Sequence, residues 1–163
     1  MKQEDNQQNY ALAEALLAEQ NFIAAVIVGA VATLLAAVAY GIITTKWGFS
    51  YGFAAAGIGI VVGISMQYLG RGIKHKFAVA AAVYTLVGVA LGNVFRAILS
   101  AGASPLDVLM SDGLPAFAER SVAYYSLLDL VFCFVAVWFA VFLAKRPLSR
   151  ADQLAVGMYE LKG

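Results

Sequence analysis

The sequence predicts an all-α, polytopic membrane protein, four transmembrane helices in an up-down bundle with short interfacial helices beside them. Three observations carry that prediction. Four apolar runs, residues 22–45, 48–69, 77–99 and 122–144, each reach the roughly 20 helical residues that cross a bilayer. The 163-residue chain is 62% hydrophobic and 13% charged, with a mean hydropathy of +0.79, more apolar side chain than a soluble core can bury. The eleven Lys and Arg also segregate with helix parity. Lys2, Arg71, Lys74, Lys76, Lys145, Arg146, Arg150 and Lys162 fall on one side of the predicted bundle, Lys46 and Arg120 on the other, and Arg96 lies within a span. The positive-inside rule then makes both termini cytoplasmic, in an inner (plasma) membrane. Glu4, Asp5, Glu14 and Glu19 share the basic side but contribute little to orientation.

Residues 1–21 read as a cytoplasmic amphipathic lead-in. Leu12, Leu16 and Leu17 form an apolar stripe beside Glu14 and Glu19 over residues 10–20. The lead-in lacks a basic region directly before the apolar stretch, and that stretch exceeds the core of a signal peptide, so the first span is expected to be retained. Lys46 and Trp47 mark the turn after it. Trp47, Phe49, Tyr51, Tyr124 and Tyr125 collect at the outer boundary, where amphipathic rings sit among headgroups. In the loop between the third and fourth spans, Ser104 and Pro105 resemble an N-cap and first helical residue, with Asp107 in the first turn of a short helix through Met110. Gly113 and Pro115 are read as ending that segment. After residue 144, Pro147 breaks the helix, and Ser149 with Asp152 caps a second short helix within the cytoplasmic tail, residues 145–163.

Small residues recur at helical spacing along the spans. Ala25, Gly29, Thr33, Ala37 and Gly41 repeat every four residues in the first. The second adds Gly59 and Gly63, the third Gly88 and Gly92, the fourth Ala136, Ala140 and Ala144. Lipid tails are as apolar as leucine, so membrane helices associate by close van der Waals approach, and such seams are its signature. Two uses stay open: packing inside one bundle, or association with a second copy or a larger membrane complex.

Asn93, Arg96 and Asp129 are the polar residues that cost energy where they lie, about 2.5 to 3.5 kcal/mol for an Arg or Asp at a span's centre. Asn93 and Arg96 share a helical face. Asp129 lies eight residues into the fourth span, a depth of roughly 12 Å. An Arg96–Asp129 ion pair between adjacent antiparallel helices, with Asn93 bonding alongside, is the expected arrangement. It would either clamp the two helices or line an outward-facing vestibule. Only Ser65 and Gln67 continue polarity inward, so a continuous path is not expected.

Other signals are weak. Gly57, Gly59 and Gly63 follow GxGxxxG inside an apolar span, which is not the dinucleotide fingerprint between a strand and a helix. Gly63, Ile64, Ser65 and Met66 depart from the rhomboid serine motif, which has glycine after the serine. One histidine, His75, cannot form a bis-histidine haem site, and one cysteine, Cys133, cannot form an intramolecular disulfide or a two-thiol metal site. The scattered loop carboxylates Asp107, Asp112 and Glu119 are the sole candidates for lipid-directed catalysis. Short juxtamembrane basic loops follow from insertion and imply no nucleic-acid partner.

From Ala54 to Asn93 the chain resembles an uncharacterised family of small bacterial four-helix integral membrane proteins. The resemblance rests on the glycine-rich second span (Gly57, Gly59, Gly63), a GxGIxxKF-type turn (Gly70, Gly72, Ile73, Lys76, Phe77) and an LGN ending (Leu91, Gly92, Asn93), with Asp129, Leu130, Val131 and Phe132 a weaker match. With the weaker match included, it extends over about half of the chain and implies a topology without a reaction. The longer polar N-terminus and Arg96 depart from the pattern.

These readings predict a non-enzymatic inner-membrane protein without metal or cofactor that acts by helix–helix association among membrane lipids, as a homo-oligomer or an accessory subunit. A small channel or transporter with a polar vestibule is the first alternative, and a lipid-acting membrane enzyme the second.

Overall fold

The computed structural model describes residues 2–47, 51–110, 113–122 and 127–160. The described residues are helical with short connections: α1 (Lys2–Ala18), α2 (Phe22–Lys46), α3 (Tyr51–Gly70), α4 (His75–Ser100), α5 (Pro105–Met110), α6 (Leu114–Val122), α7 (Leu127–Leu143) and α8 (Arg150–Glu160). Three of them, over Phe22–Lys46, Gly52–Gly70 and His75–Ser100, are long and apolar enough to cross a membrane. Their 25, 19 and 26 residues rise about 38, 29 and 39 Å, against a hydrocarbon core of about 30 Å.

The fourth expected span, residues 122–144, is described in part. α7 has 17 residues as described, a rise of about 26 Å. Residues 123–126 lie outside the described part. α6 itself was not anticipated, because Gly113 and Pro115 read as terminators. Pro115 is the second residue of α6, within the first turn, where proline's missing N–H leaves no hydrogen bond unmade. α1 likewise runs longer than residues 10–20.

Local signals set the helix ends elsewhere. The Asn21 side chain accepts from the Ala24 N–H at 2.9 Å and starts α2. Ser149 and Asp152 form the expected reciprocal box, Ser149 N–H to Asp152 Oδ2 and Asp152 N–H to Ser149 Oγ, each 3.2 Å. α4 ends with Gly102 at φ 71°, its N–H donating to the Leu99 carbonyl at 3.1 Å.

α2 packs against α4 and α3, and α7 against α3 and α4. The core between them holds Ile58, Val62, Met66, Phe77, Ala81 and Val89. Phe77 is fully buried and meets Phe22 edge-on at 5.3 Å between ring centroids. Backbone bonds tie one end together. Asn21 N–H donates to Gly70 O at 3.0 Å and Arg146 N–H to Gly72 O at 2.9 Å, so the start of α2 and the end of α7 both meet the α3–α4 turn. The Gln20 Oε1 accepts from Ile73 and Lys74 N–H in the same turn, both at 3.3 Å. At this basic end α1 and α8 pack on each other through Ala13, Leu16, Ala155 and Val156, so both terminal helices lie at one end of the bundle.

The flanks of the long helices invert the pattern of a water-soluble protein. Ile23, Ile27, Val31, Leu34 and Leu35 on α2, and Phe134, Trp138 and Phe142 on α7, are exposed, while alanine and glycine fill much of the interior. Apolar surface on this scale fits a hydrocarbon surround.

Candidate functional site

The small-residue stripe of α2 faces inward along its whole length. A methyl group added to Gly29 would fall 2.9 Å from the Tyr84 ring, and one on Gly41 2.7 Å from the Phe95 Cβ. Thr33 is buried and donates to Gly29 O at 2.7 Å, and Ala25 and Ala37 are fully buried. On α4, Gly88 lies against Ile58 and Gly92 against the Tyr40 ring. On α3, a methyl on Gly59 would collide with the Ala136 carbonyl oxygen, and one on Gly63 would come 3.0 Å from that of Ala140. Ala136 and Ala140 are fully buried. All eleven of these seam residues are therefore used between helices of the same chain.

Gly57 is the exception on α3. Nothing lies within 4 Å of a methyl placed there, and it opens into a cavity of about 360 Å³ between α2 and α3. Ala36, Ala39, Ala54 and Gly57 supply its small lining residues, and Ile43, Trp47, Phe53 and Val61 its large ones. Trp47 is 77% exposed and Phe53 65%.

Tyr40 joins this groove to the buried polar residues. Its ring lines the groove while its hydroxyl donates to Asn93 Oδ1 at 3.2 Å. Asn93 Nδ2 donates in turn to Val89 O at 3.2 Å, and Thr44 Oγ1 to Tyr40 O at 2.7 Å. Asn93 and Arg96 are buried, and the backbone of Arg96 lies against Gly41. Asp129 is half-buried on α7. Arg96 and Asp129 are both engaged with their surroundings.

Sequence reasoning missed Tyr40 as the partner of Asn93. The available signal was a hydroxyl-bearing ring set between Ala37 and Gly41 on the small-residue face of α2. Of the expected boundary aromatics, Trp47 is exposed, the side chain of Tyr51 is not described, and Phe49, Tyr124 and Tyr125 lie outside the described residues. Asp107 and Glu119 are exposed and Asp112 lies outside the described residues. Among the described residues no group of three or more His, Cys, Asp or Glu could hold a metal ion.

Compared with protein-family models, curated proteins and solved structures, the chain matches none.

Proposed function

We propose that this chain is a non-enzymatic inner-membrane protein of four transmembrane helices, α2, α3, α4 and α7, with both termini cytoplasmic, and that it acts by association with a second copy through the α2–α3 groove. The observation that carries this reading is Gly57. The other small residues of the seams are occupied by neighbouring helices of the chain, whereas Gly57 faces open space in a groove of apolar lining. A groove floored by glycine and alanine lets another backbone approach closely, which is the chief source of helix association in lipid. The Tyr40–Asn93 bond fixes the ring that forms part of its wall. Small-solute conduction has less support, because Ile58, Val62, Met66 and Phe77 fill the interior below Asn93 and are at most 2% exposed.

The test is the oligomeric state in nanodiscs of the native protein and of Gly57→Leu, which has room for its new side chain. The expected result is a discrete native oligomer that dissociates at least tenfold more readily in Gly57→Leu with helix content unchanged. A native protein that stays monomeric at every protein-to-lipid ratio overturns association with a second copy.

A further inference from the structure

Arg71 closes α3 with φ 46°, the left-handed conformation that suits glycine and costs any other residue, although glycines stand on both sides of it. What the arginine does there is visible in its surroundings. Its guanidinium and that of Arg146, 75 residues later in the chain, converge on one carboxylate: Arg146 Nη1 donates to Glu19 Oε2 at 2.6 Å, and Arg71 Nη1 lies 3.7 Å from the same oxygen. The carboxylate orients both forks and neutralises only one of them.

Two adjoining cavities open beside this cluster. The first, about 420 Å³, is bounded by Glu19, Gln67, Tyr68, Arg71 and Arg146. The second, about 540 Å³, shares Gln67, Arg146 and Pro147 with it and continues along Trp138, Phe142 and Leu148, with Lys145 on its lining. The Trp138 and Phe142 rings stack at 5.7 Å on the exposed flank of α7. Gln67 Nε2 donates to Lys145 O at 3.1 Å and holds the two parts together. Cations thus sit at one end of a continuous depression and an apolar wall runs away from them along a membrane-facing helix.

We infer that this depression binds the phosphate of an anionic phospholipid between Arg71 and Arg146, with Lys145 beside it and an acyl chain along Trp138 and Phe142. Guanidinium forks match phosphate oxygens in a bidentate manner, and basic pockets between helices at a membrane surface suit anionic headgroups. Among the described residues lining it, three cations against one carboxylate leave the cluster positive when it is empty. The inference rests on the membrane reading above and is independent of the α2–α3 groove.

The test uses quenching of Trp138 by brominated lipid. The chain has two tryptophans, so Trp47→Phe leaves Trp138 as the sole reporter. In nanodiscs, brominated phosphatidylglycerol should quench Trp138 with an apparent association constant at least tenfold above that of brominated phosphatidylcholine. Arg71→Gly should reduce that preference to near parity. Because φ 46° suits glycine, its unfolding temperature in pure phosphatidylcholine should equal or exceed that of the native protein, and Lys145→Ala should weaken the preference more modestly. Equal quenching by the two lipids overturns the site, as does an unchanged preference in Arg71→Gly. Displacement of the brominated lipid by soluble glycerol phosphate overturns the phospholipid as its ligand and assigns the cluster to a soluble phosphate ester. A chain that does not enter nanodiscs at all overturns the membrane reading and this site with it, a result recognisable before any lipid is compared.

Discussion

Gly57 and Gly59 stand two residues apart on α3 and meet opposite surroundings. Gly59 has the backbone of α7 against it, at a distance that leaves no room for even a methyl group, while Gly57 opens into the groove beside α2. Helical geometry explains the division, since residues two apart point about 200° from each other around the axis. The difference teaches that a glycine in an apolar helix has no single meaning. On the α7 side it permits contact between backbones within the chain, and on the α2 side it leaves a surface unfilled.

Substitutions at the closed face should have the largest effect. Gly59→Leu forces four side-chain carbons into the Ala136 carbonyl, and neither backbone can move without parting α3 from α7. It should destabilise the fold by about 3 kcal/mol or more, read from denaturant unfolding in detergent. An intermediate effect is expected where the two regions are linked. Tyr40→Phe removes the hydroxyl bonded to Asn93 while keeping the ring in the groove, and should cost about 1 kcal/mol in the same assay. The smallest effect on folding belongs to the open face, where Gly57→Leu should change stability by no more than about 0.5 kcal/mol and act on association instead. If Gly57→Leu unfolds the protein as Gly59→Leu does, the distinction between the faces is lost.

The sequence made the long helices legible because twenty or more apolar residues leave few alternatives, and α2, α3 and α4 lie close to the expected limits. The capping box of α8 was equally readable, since Ser149 and Asp152 interact over three residues of chain. Features that depend on what lies across from a residue were not readable. Gly57 looked like part of a false nucleotide fingerprint, and only the position of α2 shows it to be open. Matching depths place the partners of Asn93 on α4 and α7, but Tyr40 on α2 donates to it across the bundle, a residue that hydropathy counts as one more aromatic. The meeting of Arg71, Arg146 and Glu19 was hidden for the same reason. Their charges were visible as a sign bias, and their convergence depends on the backbone bonds that draw three chain segments to one turn. Pro115 misled for a local reason, because a helix-breaking residue type also suits the first turn of a helix.

The most direct test of the account is a labelling experiment on topology. In a Cys133→Ala background, single cysteines at the exposed positions Gln8, Ser104 and Gln153 would be probed in intact cells with a membrane-impermeant maleimide. The four-span reading predicts that Ser104→Cys reacts at once, while Gln8→Cys and Gln153→Cys react only after the membrane is permeabilised. Reaction of Gln153→Cys together with Ser104→Cys in intact cells would contradict it, because α7 would then fail to cross and the chain would have three spans.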